Sequence, residues 1–270
     1  MQLSIRHETI YRYTSVIAYT IQQLRLTPRQ EAHQHATSWH IDTTAGRCHA
    51  FADAFGNLSH TLTITGGHSE VSIIASGIVE TSPLDRGRLA GKEVLSPLVF
   101  TVPTRLTEPT AEITTFAAQY LAPGPRSDEL LALAQAIRGK VVYQSGTTGV
   151  TSSAADALRL GSGVCQDHAH LFLACCHAQG IPARYVSGYI DAGTTAHAES
   201  HAWVDVWVDE VDYSGWVTID VTHAAFAGDA YCRLAIGRDY DSAAPVRGVR
   251  RGGGDELLSV RVDVGTMHEE

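Results

Sequence analysis

One cysteine in this sequence stands where a thiol could act as a nucleophile. Cys165 follows two glycines, Gly161 and Gly163, and opens a predicted helix that stops at the Gly-Ile-Pro segment 180–182. At the first turn of a helix, the unpaired N–H groups and the positive end of the dipole favour a thiolate over a thiol. Free cysteines are also among the most buried residues, so a structural role in the core is the alternative.

Two alternating segments downstream supply a candidate base and a candidate carboxylate. Over His201–Asp209, apolar side chains occupy one face, and His201 lies on the other. Over Trp216–Val221, Asp220 likewise falls on the face away from the valines. The polar residues between the segments predict a hairpin, so the strands are expected to be antiparallel. A hairpin centre near residues 210–211 puts His201 opposite Asp220, and a turn nearer Gly215 shifts this register by a few residues.

These residues follow one another in the order thiol, imidazole, carboxylate. His201 lies 36 residues after Cys165, and Asp220 lies 19 residues after His201. A cysteine nucleophile needs an imidazole to take its proton, and the imidazole needs a carboxylate to fix its tautomer. The set therefore indicates nucleophilic catalysis, although the spacing alone leaves a structural explanation equally open.

Residues 1–82 are predicted to form a β-rich domain that could support such a site. Their short segments are rich in threonine, branched apolar residues and aromatics, and Gly-containing turns such as Gly66-Gly67 separate them. The pattern is typical of antiparallel hairpins in a small sandwich. The predicted strands are Leu3–Tyr13, Ile21–Thr27, Ser38–Thr44, Leu58–Thr65 and Glu70–Glu80.

The segment 83–109 is rich in prolines and polar residues, which indicates a connection between domains. Residues 110–270 are then predicted to form the unit that carries the three candidate residues. Capping residues and apolar periodicity predict helices over Thr110–Tyr120, Ser127–Lys140 and Ser153–Leu160, before the helix of Cys165 and a strand at Ala183–Ile190.

The composition excludes several classes of function. The chain has 270 residues, 44% of them hydrophobic, and a formal net charge of −9 without any cluster of Lys or Arg, which argues against nucleic-acid or anionic-membrane partners. The first twenty residues alternate and do not resemble a signal peptide, and no run is long enough to span a membrane. Five cysteines without regular spacing favour reduced thiols in a cytoplasm, with Cys175 and Cys176 filling a helix face.

Three blocks of the sequence resemble the catalytic blocks of the transglutaminase-like superfamily, specifically its bacterial members with a β-rich N-terminal domain. They are GVCQDHAHLFLACCHAQGIPARYVSGYI, HAWVDVWV and GWVTIDVTH. HETIYRY near the start, GRDYDSAAPVRG, and the closing strand LLSVRVDV are also similar. The resemblance therefore covers nearly the whole chain.

The resemblance implies an α+β fold with a papain-like transglutaminase core, in which the cysteine helix packs on an antiparallel sheet, and an N-terminal all-β, sandwich-like domain. It implies Cys165 as nucleophile, His201 as general base and acid, and Asp220 as the carboxylate. The family often has Asp-Pro-Thr-Asn where this chain has the segment 220–223, Asp-Val-Thr-His, and often a shorter hairpin. The first departure changes the residues that directly follow Asp220.

The implied activity is acyl transfer through a thioester on a peptide or carboxamide. A cysteine peptidase or amidohydrolase is the first interpretation, a protein-crosslinking transglutaminase the second, and a non-enzymatic binding module the third. The Cys165 N–H is an oxyanion donor by position. Tyr143, Gln144 and Gln166 remain equal candidates for a side-chain donor. The expected partner is a protein or peptide substrate, and the sequence does not indicate the oligomeric state.

No cofactor and no metal ion are expected. His197 and His201 have the i, i+4 spacing of a metal pair, but that pair needs a helix, and the alternating strand begins at His201. His168 and His170 lie two apart on the predicted helix and point to different sides, so they are expected at the surface or behind the catalytic residues.

Overall fold

The β structure expected for residues 1–82 is present, with longer strands than the sequence pattern indicated. The computed structural model describes residues 1–91, 95–191, 193 and 200–267. Two strands of 23 and 24 residues dominate this region, and alternate side chains of the first, beginning with Leu3 and Ile5, are buried. The strands are β1 Gln2–Leu24, β2 Gln34–Thr43, β3 Arg47–Ala52 and β4 Leu58–Thr81.

The predicted helices of the middle region are confirmed. Side-chain oxygens of Thr110 and Ser153 accept hydrogen bonds from the backbone N–H groups of Ile113 and Asp156, which fixes where two of the helices begin. No helix in the described ranges is both long and apolar enough to cross a bilayer. The elements are α1 Ala111–Ala117, α2 Ser127–Lys140, β5 Val142–Tyr143, α3 Ala154–Leu160, β6 Ser162–Gly163 and α4 Cys165–Ala178.

The remaining elements are mostly strands. The small residues of segment 191–200 predict a loop between two strands, and most of that segment lies outside the described residues. The elements are β7 Ala183–Ile190, β8 Ser200–Asp209, β9 Ser214–Asp220, β10 Ala225–Phe226, β11 Tyr231–Gly237, α5 Tyr240–Ala243, β12 Val246–Gly252 and β13 Glu256–Thr266.

Five of these strands form the sheet that carries the candidate site. Its order is β10-β9-β8-β7-β11, and every neighbouring pair is antiparallel. The valines of β8 face α4, and Val204 and Val206 share one apolar core with Leu171 and Phe172 of that helix. The cysteine helix therefore packs on an antiparallel sheet, and the α+β fold class is confirmed.

The N-terminal strands belong to one six-stranded sheet in place of separate short hairpins. Its order is β12-β1-β4-β2, with β13 also on β1 and β3 also on β4. The expected break at Gly66-Gly67 is an irregularity within β4, because the pairing of β1 with β4 changes register there, between Ile17 and Tyr19. Side chains from both sides of the irregularity, including Ile64 and Val71, share one apolar cluster, so the two halves of the sheet pack together.

The C-terminal strands complete the N-terminal sheet. Ile21 of β1 pairs with Val249 of β12, and Ile5 pairs with Val264 of β13. The sequence-based division of the chain, 1–82, 83–109 and 110–270, assigned residues 246–266 to the second unit. In the structure these strands pair with β1, so the two ends of the chain meet in one sheet.

The two sheets are joined along the outer edge of β11. The Gln34 side chain accepts from the Arg233 N–H at 2.6 Å and donates to the Arg233 carbonyl at 2.9 Å. Asn57 makes the same pair of contacts with Ile236, at 2.9 and 2.8 Å. Both amide side chains are buried. They take the place of a neighbouring strand, so the edge of the site-bearing sheet is closed by the N-terminal domain.

A buried charge network lies beside this edge. The Asp205 carboxylate of β8 is fully buried and accepts hydrogen bonds from Arg184 at 2.8 Å and from Arg233 at 2.9 and 2.6 Å. Glu31 of the N-terminal domain lies 2.8 Å from Arg233. Burial raises the pKa of Asp205, but the charges of Arg233 and Arg184 outweigh it and hold that pKa well below its usual range. The carboxylate therefore stays charged.

Removing Asp205 is expected to destabilise the protein strongly. The Asp205→Ala variant leaves two guanidinium groups partly uncompensated inside the protein, which costs about 3–5 kcal/mol of unfolding free energy. Urea denaturation measures the loss, with Glu70→Ala, which removes an exposed ion pair to Arg12, as the matched control. A loss no larger than that of the control would contradict this account.

The protein is also expected to lose stability between pH 6.5 and 4.5. Burial lowers the pKa of His7 and of His170 to about 4, so the unfolded chain takes up protons there that the folded chain excludes. Each histidine contributes up to about 1.4 kcal/mol per pH unit. Denaturation at several pH values should show a shallower dependence for His7→Gln, whereas His49→Gln, at an exposed position, should follow wild type.

Candidate active site

The loop before α4 delivers Cys165 to a partly exposed position at the first turn. Gly161 adopts the left-handed conformation at φ 67° and ends α3. A Cβ at Gly163 would lie 2.6 Å from the Asp167 carboxylate, so only glycine fits there. Asp167 accepts hydrogen bonds from the Val164 N–H at 2.7 Å and the Thr148 hydroxyl at 2.6 Å. These contacts fix the first turn and leave the thiol accessible.

His201 and Asp220 meet in the structure, although the strand register differs from the simplest expectation. Val204 pairs with Ile219 and Asp209 with Ser214, so Asp220 falls opposite Trp203, two residues from His201. The His201 Nε2 nevertheless reaches the Asp220 Oδ2 diagonally, at 2.8 Å. The pairing is shifted because the hairpin turns between residues 211 and 212.

The imidazole connects the carboxylate with the thiol. Nε2 of His201 faces Asp220, and Cys165 lies close enough to His201 to influence its charge. Burial lowers the pKa of His201, but the interactions with Asp220 and Cys165 outweigh it and raise that pKa to about 10. A protonated ring beside the thiol is the condition for a thiolate–imidazolium pair. The structure thus joins His201 to Asp220 and places Cys165 near the same imidazole.

Asp220 has two further donors that the sequence analysis missed. Its Oδ2 also accepts from the His223 Nδ1–H at 2.6 Å and from the Tyr231 hydroxyl at 2.8 Å, and its Oδ1 accepts from the His223 N–H at 3.1 Å. Burial raises the pKa of Asp220, but the hydrogen bonds from His201 and His223 hold it far below its usual range. The signal in the sequence was the departure from Asp-Pro-Thr-Asn, which places a histidine at residue 223.

Two helix histidines support the site from behind. His168 is buried, and its ring contacts the Thr222 hydroxyl and the Val141 carbonyl, each at 2.9 Å, so it ties α4 to the segment after Asp220. His170 is also buried and accepts from the Tyr240 N–H at 3.1 Å. The surface position considered for them is therefore wrong, and the position behind the catalytic residues is correct for His168.

Aromatic rings shield the imidazole on one side. Trp203 is fully buried and stacks against the His201 ring, with centroids 6.1 Å apart and planes at 26°. The Tyr231 ring lies 5.3 Å from Trp203, nearly perpendicular to it. These rings exclude water from the buried face of His201, which strengthens its hydrogen bonds.

Of the candidate oxyanion donors, Tyr143 lies close enough to Cys165 for the thiol to affect the pKa of its hydroxyl. Burial raises the pKa of Tyr143, and the Cys165 side chain raises it further. The Gln144 N–H is used to bind the Gly163 carbonyl at 2.7 Å, which joins β5 to the loop before Cys165. The Cys165 N–H at the start of α4 has no carbonyl partner within the helix.

The metal pair considered from sequence involved His197, which lies outside the described residues. A different trio is close together: His201, Asp220 and His223 each offer a ligand atom, and these atoms lie within 4.8 Å of one another.

Comparisons with known proteins find similarity over both parts of the chain. A family model described as the transglutaminase-like superfamily matches residues 114–221, and one described as the bacterial transglutaminase-like N-terminal region matches residues 3–80. An uncharacterized protein of Mycobacterium leprae is 33% identical over 279 residues, which cover 97% of this chain and 98% of the relative. One of Mycobacterium tuberculosis is 30% identical over 286 residues, covering 96% and 91%.

A crystal structure of similar fold extends over both sheets. It is that of a candidate cysteine protease from Cytophaga hutchinsonii, with a TM-score of 0.78 and 22% identity, and the match covers 100% of this chain and 92% of that one. The likeness shows that both parts of the fold occur together elsewhere.

Cys165 is expected to react with iodoacetamide faster than Cys48 at neutral pH. It lies at the first turn of α4 near His201, whose pKa is raised to about 10, so a protonated imidazole can stabilise the thiolate. Cys48 serves as a control within the same chain, since it is exposed and partial burial raises the pKa of its thiol. Peptide mass analysis separates the two sites. A Cys165 rate no higher than that of Cys48 would contradict the thiolate–imidazolium pair, and Asp220→Asn should lower the Cys165 rate.

Proposed function

Because the chain belongs to the transglutaminase-like superfamily, we propose that it catalyses cysteine-dependent acyl transfer on peptide or carboxamide substrates, with hydrolysis as the outcome. Cys165 is the nucleophile, His201 the general base and acid, and Asp220 the carboxylate that orients the imidazole. The observation that carries the proposal is the 2.8 Å contact between the His201 Nε2 and the Asp220 Oδ2, with Cys165 near the same imidazole at the first turn of α4.

The geometry supports a two-step reaction. The Cys165 thiolate attacks the carbonyl carbon, and the negative charge on the carbonyl oxygen is met by the Cys165 N–H at the start of α4. His201 then gives its proton to the departing nitrogen, and a thioester remains on Cys165. In the second step His201 takes a proton from water, which attacks the thioester and frees the acid. Asp220 stabilises the imidazolium in both steps.

The choice of acceptor decides between hydrolysis and crosslinking. Hydrolysis is favoured here because the similar full-length structure is that of a candidate cysteine protease. A transglutaminase would use the same residues and an amine in place of water. The substrate is a protein or peptide, and five free cysteines support a cytoplasmic location.

The decisive test exposes a mixed peptide library to the protein, with and without a primary amine, and reads the products by mass. Wild type is expected to cleave peptides or deamidate glutamine, and Cys165→Ala should lose at least about 1,000-fold in rate. Cys48→Ser removes a thiol far from the site and should retain full activity. Amine incorporation would identify a transglutaminase. Equal products from wild type and Cys165→Ala, or none from either, would overturn the enzyme assignment in favour of a binding module.

A further inference from the structure

Asp220 is shared between two imidazoles, and this arrangement is a ligand set for a metal ion. The His201 Nε2 lies 2.8 Å and the His223 Nδ1 lies 2.6 Å from the same carboxylate oxygen. Two imidazole nitrogens and a carboxylate oxygen, with one position left open, are ligands that Zn²⁺ accepts. We propose that His201, Asp220 and His223 form a binding site for a divalent transition-metal ion, and that the ion switches the catalytic residues off.

The space between the three side chains fits an ion in place of the protons on His201 Nε2 and His223 Nδ1. The three ligand atoms already lie within 4.8 Å of one another, and tetrahedral zinc with bonds near 2.0–2.1 Å needs them about 3.3 Å apart. The His223 side chain is 54% exposed, so its ring can move outward and the ion can arrive from solvent. The protons on His201 Nε2 and His223 Nδ1 leave to water as the ion binds.

The groups behind the ligands hold them in place. Tyr231 donates to the Asp220 carboxylate, and the His223 N–H donates to its other oxygen. The His168 Nδ1 lies 2.9 Å from the hydroxyl of Thr222, the residue directly before His223. Cys165 lies near the His201 ring. The Asp220 carboxylate therefore has supporting contacts of the kind that metal sites use to orient their ligands.

Bound metal would stop catalysis through His201, and this consequence rests on the proposed function. With Nε2 on the ion, the ring keeps a single proton on its other nitrogen and has no lone pair to accept a second one. It cannot take a proton from water, and as a neutral ring it is a much weaker acid than imidazolium. Both steps of acyl transfer are then blocked while the thiol stays unmodified.

The site can be tested without any catalytic assay. Calorimetric titration of Zn²⁺ into Cys165→Ala excludes binding by the thiol and is expected to show one tight site per chain. Adding His223→Asn should weaken that site by about 100-fold or more, because only two ligands remain. His223→Asp, which restores a carboxylate ligand, should recover part of the affinity. His35→Asn breaks an exposed His–Glu80 pair and is the matched control, with no expected effect.

Zn²⁺ affinity unchanged by His223→Asn, or unchanged by His201→Gln in the same Cys165→Ala background, would overturn the proposal. Thermal melting checks that each variant folds, and the exposed His223 position should tolerate asparagine. Because binding is read by heat in a protein without the nucleophile, failure of this site leaves the proposed function untouched. Failure of the peptide assay likewise leaves the metal site standing.

Discussion

The buried carboxylate of Asp205 is the contact on which the arrangement of the molecule depends. It lies in β8, four residues from His201. It binds the guanidinium groups of Arg184 on the neighbouring strand β7 and of Arg233 on β11, the next strand in the sheet. Glu31 then brings the N-terminal domain to Arg233. An ion pair of this kind adds little net stability compared with apolar packing, but a mismatched partner is costly. The network therefore selects one relative position of the two sheets.

Local parts of the fold could be predicted because local signals determine them. The Cys165 helix lies between a glycine turn and a Gly-Ile-Pro stop, and its bounds are readable from those residues. The alternation in β8 and β9 places His201 and Asp220 on one face. Their exact register could not be read, since it depends on where the polar loop turns. His201 and Asp220 still meet, diagonally, because a two-residue change in the pairing of β8 with β9 leaves both side chains on the same face of the sheet.

Other features had no local signal. The strands β12 and β13 return to β1 from the far end of the chain, and such pairing is decided by the whole fold. The long strand β4 also appeared as two short ones, because Gly66 and Gly67, residues that often end strands, here lie at an irregularity within it. The long strand β1 was divided where its own pairing with β4 is irregular. His223 was visible as a departure from the family pattern, but its contact with Asp220 depends on the turn after β9. As a result, the Asp220 carboxylate accepts hydrogen bonds from three residues, His201, His223 and Tyr231.

The amide groups of Gln34 and Asn57 do more than join two sheets. An unpaired strand edge is a template for another chain, and natural proteins seldom leave one open. Here the backbone of β11 is satisfied by side chains from a different part of the polypeptide. Without the N-terminal domain, the outer edge of β11 would expose unpaired backbone N–H and carbonyl groups that can pair with the same edge of another copy. Aggregation, rather than simple loss of a domain, would be the natural fate of such a fragment.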